Sequence, residues 1–182
     1  MKIGLDIMGG DHAQHSNLQG ALLASKSLRN SEKIVLIGDE KIALQFFQDN
    51  NIDYSNFEFI HADQHIEMNE HATKALRQKP NNSISVGFEA LKNGEIDVFS
   101  SAGNSGAMLV GSMFSVGPIK GVIRPCITSV LPKENGAVGL ILDVGVNADC
   151  KPDVLFQFAI LGSLFAENIY GISKPKVGLL NI

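Results

Sequence analysis

With 182 residues, 45% of them hydrophobic and 19% charged, the chain is long enough to bury a core and has the composition of a globular protein. Its formal net charge is −4, and Lys and Arg are not gathered into a long basic run. Because neutralising nucleic-acid phosphates needs clustered cations, the sequence argues against a nucleic-acid-binding protein.

The first predicted elements form a βαβ unit. Residues 2–7 and 33–37 are short apolar runs typical of buried parallel strands. The intervening segment has helical periodicity, with Ser16 as its predicted N-cap. Its apolar face comprises Leu18, Ala21, Leu22, Ser25 and Leu28. A strand, a helix and a second strand in this order favour a parallel sheet.

Further strands and helices follow along the chain. Strands are predicted at 57–61, 97–101, 138–144 and 176–182, and helices at 82–92, 104–116 and 152–170, the last ending at Gly171. This order predicts an open, mostly parallel α/β sheet with helices on both faces, built as one α/β unit over residues 1–182. Because the last predicted strand has no covering helix after it, we expect the chain to be the N-terminal part of a longer protein.

Targeting and membrane-spanning signals are not recognisable in the sequence. The N-terminus lacks the parts of a signal peptide, and no apolar run approaches the roughly 20 residues needed to cross a bilayer. The two cysteines, Cys126 and Cys150, form no Cys/His cluster typical of zinc sites. These features predict a cytoplasmic protein with reduced thiols.

The first motif, Asp6-Ile-Met-Gly-Gly-Asp-His, follows the first predicted strand. Ligands of open α/β sheets collect at the carboxyl ends of strands, so this position favours a site. Gly9 and Gly10 allow the backbone to approach a ligand, whereas Asp11 and His12 supply charge and proton transfer. A tight turn with a solvated acid and histidine is the structural alternative.

The second motif, Ser-Ala-Gly-Asn-Ser-Gly-Ala, also lies between a predicted strand and a helix. Its backbone N–H groups could hold an anion at the start of the helix. Neutral donors come from Ser101, Asn104 and Ser105, beside Gly103 and Gly106. A turn with a purely structural role is the alternative. Neither a P-loop nor a dinucleotide-binding pattern is present, which argues against a nucleotide site.

Two later loops carry charge. Lys120 and Arg124 lie in Ile-Lys-Gly-Val-Ile-Arg-Pro, where they could bind phosphate or remain solvated surface charges. Asp143 and Asn147 lie in Leu-Asp-Val-Gly-Val-Asn-Ala-Asp and could orient a ligand or form a structural turn. The carboxylates match no calcium or zinc spacing, so no metal site is predicted. His61, His65 and His71 likewise show no zinc pattern and are expected at the surface.

In this order and spacing, DIMGGDH, SAGNSGAM, IKGVIRP, LDVGVNAD and VGLLNI resemble the bacterial phosphate acyltransferase family. The resemblance covers essentially the whole chain, whereas the family's chains are nearly twice as long, so their C-terminal half is expected to be absent here. The departures are mild. Gln14 and His71 stand where the family often has Pro, Ser105 where it often has Thr, and Val146 where it has Ala.

The resemblance implies a fold like those of isocitrate and isopropylmalate dehydrogenases and phosphate acetyltransferases, in a homodimer. It also implies transfer of a fatty acyl group from acyl carrier protein to inorganic phosphate. The acyl-phosphate formed would pass to a glycerol-3-phosphate acyltransferase for phospholipid synthesis, without a metal or redox cofactor. Peripheral membrane association is compatible with this role.

Residue roles follow from the resemblance as expectations. Gly9, Gly10 and the 103–106 turn would bind phosphate or the oxyanion, with Asn104 as a donor. His12 would protonate the leaving thiolate, and Lys120 and Arg124 would neutralise charge. Asp6 and Asp143 would order loops, and the remaining candidates for substrate binding are Asp11, Ser101, Ser105 and Asn147.

Three other functions remain open at this point. A phosphate acetyl- or butyryltransferase would use a coenzyme A thioester in the same chemistry. A metal- and NAD-dependent 2-hydroxy-acid dehydrogenase would need converging carboxylates and a cluster of arginines, but Arg29, Arg77 and Arg124 are the only arginines. The chain could also serve only in folding or dimerisation, inactive without a second half.

Overall fold

The structure is a computed structural model that describes residues 1–147 and 149–180. It divides the chain into two units, Met1–Gly117 and Pro118–Ile182. The first unit contains β1 (Lys2–Asp6), α1 (His15–Ser25), β2 (Lys33–Gly38), α2 (Glu40–Asp49), β3 (Phe57–His61), α3 (Ala72–Gln78), α4 (Ser83–Lys92), β4 (Val98–Ser100) and α5 (Ser105–Ser115). The second contains β5 (Thr128–Pro132), β6 (Val138–Leu142) and α6 (Pro152–Tyr170).

The sheet of the first unit is parallel, with the strand order β3-β2-β1-β4. The chain adds β2 and β3 on one side of β1 and then returns to add β4 on the other side. The order therefore reverses between β1 and β4, which is the topological switch point where such sheets bind ligands. In the register of these strands Leu5 lies opposite Ser100, so their carboxyl ends are adjacent.

Helices cover both faces of this sheet, as predicted. Successive side chains of a strand point to opposite faces, and β2 is buried on both. Leu36 packs in a cluster with Leu18 of α1 and Phe47 of α2, whereas Ile37 packs in another with Ala90 of α4 and with Ile96. Complete burial of a large side chain such as Phe47 contributes about 1.5–3 kcal/mol.

Asparagine side chains begin two of the predicted helices. Oδ1 of Asn82 accepts a hydrogen bond from the Ser85 N–H at 2.9 Å, and Oδ1 of Asn104 accepts one from the Ala107 N–H at 2.9 Å. Each satisfies a donor that has no partner within its helix. The predicted helices 82–92 and 104–116 are thereby confirmed, with bounds that differ by one residue at most. The helix α2, which Asp39 caps, was not predicted.

The second unit contains an antiparallel hairpin and a long helix. β5 pairs with β6, with Thr128 opposite Leu142 and Pro132 opposite Val138. α6 begins with Pro152 in its first turn and ends at Gly171, whose φ is 63°, as the sequence predicted. Among residues 1–147 and 149–180, no helix is both long and apolar enough to span a membrane.

Three sequence predictions of local structure were wrong. Ser16 is not an N-cap: α1 begins at His15 after Gln14, whose φ is 66° and whose side chain makes no capping bond. The strand expected at 138–144 ends at Leu142 and joins an antiparallel pair, because β5, which was not predicted, lies beside it. No strand forms over residues 176–180, and the rest of that predicted strand, 181–182, lies outside the described residues.

Candidate functional site

A buried carboxylate links the first two motifs. Asp6 ends β1 with 1% of its surface exposed, and its Oδ1 accepts the Met8 N–H at 2.8 Å. Its Oδ2 accepts the hydroxyl of Ser101 at 2.6 Å. The Ser101 Oγ in turn accepts the Gly103 N–H at 3.0 Å. Hydrogen bonds to an ionised group are stronger than neutral ones, so this chain of contacts holds the two turns together.

Glycines let these two turns come into direct contact. A Cβ on Gly9 would lie 2.6 Å from Oδ2 of Asp6 and 2.7 Å from the backbone nitrogen of Gly103. Gly9 and Gly103 are both buried. Gly10 adopts a φ of 101°, which residues with a side chain disfavour. The glycines of the first motif are therefore required by the contact with the second.

Asn17 stabilises the first turn from within α1. Its amide nitrogen lies 2.8 Å from the carbonyl oxygen of Gly9 and 3.2 Å from that of Ile7. The Ile7 carbonyl also accepts the Gln14 N–H at 2.7 Å, and Asn17 supplies a partner for the Gly9 carbonyl. Asn17 was not among the site residues predicted from the sequence, although an asparagine in the first turn of a helix after a Gly-Gly loop was a usable signal.

Asn104 is buried and uses both ends of its side chain. Besides capping α5, it donates from Nδ2 toward the carbonyls of Glu67, Met68 and Glu70 at 3.0–3.2 Å. These contacts favour a positioning role for Asn104 in this conformation, and the oxyanion role stays a prediction. Of its neighbours in the turn, Ser105 is exposed and Gly106 is partly exposed.

A polar pocket of about 320 Å³ adjoins the first turn. One side is formed by Met8 and residues 10–14, which include the exposed Asp11 and His12. The other side is formed by residues 65–68, where Nε2 of His65 lies 2.8 Å from Oε1 of Glu67. Two imidazoles and two carboxylates therefore line one space, which suits proton exchange with a small polar substrate. His65 is exposed, as the sequence predicted, and it also lines the pocket.

The candidates of the second unit form a separate group around Asp143. Its Oδ1 accepts the Ile127 N–H at 2.7 Å, and its Oδ2 accepts those of Val146 and Asn147 at 2.9 and 2.7 Å. Partial burial opposes ionisation, but these N–H donors outweigh it and hold the pKa of Asp143 below its usual value. Asp143 therefore ties the start of the hairpin to the loop after it.

The other polar candidates of this unit differ in their surroundings. Asn147 donates from Nδ2 to the Pro125 carbonyl at 3.0 Å, and Nη1 of Arg124 lies 3.2 Å from the Asp149 carbonyl. Lys120 and Arg124 are exposed. Their predicted charge-neutralising roles stay predictions.

A larger groove, of about 810 Å³, lies in the second unit between the hairpin, α6 and residues 172–180. Its lining is mainly aliphatic and aromatic, and within the described residues its ionisable groups are Lys133, Lys174 and Lys176. We prefer the smaller pocket as the candidate site, because it adjoins the switch point and contains groups that can exchange protons. In the described part of the chain, no three His, Cys, Asp or Glu residues are arranged to hold a metal ion.

Solved structures support the fold. A phosphotransacetylase from Staphylococcus aureus, EutD, superposes on 91% of this chain and 52% of its own, with a TM-score of 0.61 and 18% sequence identity. At this identity the likeness shows the fold alone. The predicted relationship to the phosphate acetyltransferase fold is thereby confirmed.

Sequence comparisons identify relatives over the full chain. A phosphate acyltransferase of Caldanaerobacter subterraneus is 42% identical over 182 residues, which are 53% of that protein. The phosphate acyltransferases of Dictyoglomus turgidum and Clostridioides difficile are 40% and 38% identical over the same length. The chain thus spans about half the length of these relatives. The family described as "Fatty acid synthesis protein" matches residues 1–182, and the chain therefore belongs to this family.

Proposed function

We propose that the full-length protein transfers a fatty acyl group from acyl carrier protein to inorganic phosphate, producing acyl-phosphate for phospholipid synthesis. The observation that carries the proposal is the contact between the turns of Gly9 and Gly103 at the switch point, beside the polar pocket. The name phosphate acyltransferase, carried by relatives about 40% identical, supports the same chemistry.

Phosphate would bind where the two turns meet. Gly10 lines the pocket, and the 103–106 turn contains the N-terminus of α5, where N–H groups and the helix dipole favour an anion. The link from Asp6 to Ser101 would keep both turns in place without reorganisation during the reaction. At neutral pH phosphate also carries a hydroxyl group, and the carboxylate of Asp11 could accept a hydrogen bond from it.

In the reaction, a phosphate oxygen attacks the thioester carbonyl carbon. A carbon–oxygen bond forms, the carbonyl oxygen becomes an oxyanion, and the carbon–sulfur bond then breaks. The departing thiolate takes a proton from His12, and the phosphate hydroxyl supplies the proton that restores His12. Since phosphate is already nucleophilic and a thiolate leaves readily, positioning and oxyanion stabilisation would supply most of the acceleration.

The remaining expectations belong to the full-length protein. Lys120 and Arg124 would neutralise the charge of phosphate or of the acidic carrier protein. The protein would act as a homodimer in the cytoplasm, with peripheral association at the membrane, and deliver its product to a glycerol-3-phosphate acyltransferase. No metal or redox cofactor takes part in the steps above.

The test is a substrate comparison with the purified full-length protein. We expect acyl-phosphate to form from acyl carrier protein thioester and phosphate without an added metal ion, and faster than from the matching coenzyme A thioester. Preference for coenzyme A would favour a phosphate acetyl- or butyryltransferase. Turnover that ignores phosphate and requires NAD with a divalent ion would contradict the proposal.

A further inference from the structure

The segment of residues 65–70, here called the wall segment, includes residues 65–68, which form the side of the polar pocket that faces the first motif. The segment contains no helix or strand, although a bridge at Gln64 flanks it. Its shape depends on a backbone hydrogen bond from the Glu70 N–H to the Glu67 carbonyl at 3.2 Å and on side-chain contacts. His65, Glu67 and Met68 are exposed, whereas Ile66 is 4% exposed and anchors the segment in a cluster with Ile84 and Phe88.

Lys79 holds the wall segment at both ends. Its Nζ donates to the His65 carbonyl at 2.9 Å and to Oε2 of Glu70 at 2.6 Å. The same Oε2 accepts the Glu67 N–H at 2.7 Å. The hydrogen bond from Lys79 and, to a lesser extent, the one from the Glu67 N–H lower the pKa of Glu70 and so favour its ionised form. Both side chains are 30% exposed, so water screens this pair only in part.

Asn104 holds the segment from α5. Its Nδ2 lies 3.0–3.2 Å from the carbonyls of Glu67, Met68 and Glu70, and its Oδ1 caps the same helix. The turn of the second motif and the wall segment are therefore tied to each other. A movement of the wall would alter the pocket beside both motifs.

We propose that Lys79 and Glu70 are positioning residues of the phosphate site: together with Asn104 they hold the wall segment so that His65, paired with Glu67, faces the pocket opposite His12. The inference rests on the proposed function, because it assigns the pocket to phosphate. Neither Lys79 nor Glu70 lines the pocket, and each acts through the backbone of residues 65–70.

The experiment measures KM for phosphate and kcat in the full-length protein with Lys79→Met. Displacing the wall removes ground-state contacts, so KM for phosphate should rise by about 10- to 100-fold, with a smaller change in kcat. Lys74→Met, an exposed lysine on the adjacent helix α3, makes the same chemical change and should leave both constants unchanged. Lys79→Arg keeps the charge and should restore part of the affinity.

Glu70→Gln provides a second test that preserves side-chain shape. It should also raise KM for phosphate, and the double variant with Lys79→Met should raise KM by less than the two single effects combined, because both changes weaken the Lys79–Glu70 pair. Melting temperatures separate positioning from folding. Loss of stability with an unchanged KM in both variants, or equal behaviour of Lys79→Met and Lys74→Met, would overturn the inference alone. Wild-type protein that does not use phosphate would overturn the proposed function and the inference with it.

Discussion

Gly9 shows how a single residue connects the fold to the site. Its Cα lies so close to the second turn that a methyl group would contact the backbone of Gly103 and the carboxylate of Asp6. Neither group can move away at low energetic cost, because Gly103 contributes backbone atoms and Asp6 is a buried, hydrogen-bonded side chain. The residue is therefore constrained by packing as well as by any ligand.

The first residue-scale prediction compares two glycines. Gly9→Ala should lower the free energy of unfolding by about 1–3 kcal/mol through overpacking. Gly20→Ala should raise it by about 0.5–1 kcal/mol, because Gly20 lies within α1 with open space around its Cβ position. Urea denaturation of both variants gives the comparison. Equal stability of the two variants would show that the turns can separate without cost.

The second residue-scale prediction concerns Ser101. Ser101→Ala removes the hydroxyl that joins the Asp6 carboxylate to the Gly103 N–H, and leaves the buried carboxylate with one donor fewer. Loss of a hydrogen bond to a charged group costs about 1.5–3 kcal/mol. The exposed Ser105 has no such burial, so Ser105→Ala is the control. Thermal unfolding that is the same for both variants would contradict this account.

At the scale of elements, a loop in each unit is ordered by a polar side chain at or near the end of a neighbouring strand or helix. In the first unit Asn17 of α1 holds the loop after β1. In the second unit, Asp143 lies just after β6 and accepts hydrogen bonds from the N–H of Ile127 and from N–H groups of the loop after β6. A carboxylate that accepts several backbone donors stabilises the loop only while it is ionised.

The element-scale prediction is a pH dependence. The folded-state pKa of Asp143 is lowered, so its contribution is fully present above the unfolded value of about 3.9 and is lost as the pH falls through the folded value. The unfolding free energy of wild type should exceed that of Asp143→Asn by a constant amount above about pH 5, and the difference should shrink below about pH 4. Glu134→Gln, at an exposed position of the hairpin turn, is the control. A difference that stays constant down to pH 3 would contradict the prediction.

At the scale of the whole molecule, the second unit exposes an unusual amount of apolar surface. Exposed side chains of α6 include Phe156 at 68%, Ile169 at 62% and Leu164 at 51%. Leu179 and Leu180 are 77% and 76% exposed. Apolar side chains exposed to this extent promote association in water.

We therefore predict that the 182-residue chain, studied by itself, self-associates. Sedimentation should show a concentration-dependent rise in mass, because burying α6 against a second copy removes apolar area from water. Phe156→Glu with Leu164→Glu should reduce the association, whereas Leu23→Glu, an equally exposed position on α1, should not. A monomer at all concentrations would contradict the prediction.

Local chemistry was sufficient for the sequence to determine several elements. Asn82, Asn104, Pro152 and Gly171 mark helix ends because caps depend on neighbours within one turn. The alternation of apolar strands with helices also predicted the mostly parallel sheet. The motifs themselves predicted the family, since their order and residue types are properties of the chain alone.

Only the tertiary structure decided which of these elements meet. Asp6 and Ser101 are 95 residues apart, and their hydrogen bond depends on β4 pairing with β1. The strand that pairs with β6 also depends on tertiary contacts, and this strand is the antiparallel β5. For this reason residues 138–144 were wrongly placed in the parallel sheet. From the sequence alone, the amide of Asn104 and the ammonium of Lys79 could each have bound a ligand or remained solvated. Folding instead brings carbonyls of the wall segment within reach, because partner choice depends on contacts between residues far apart in sequence.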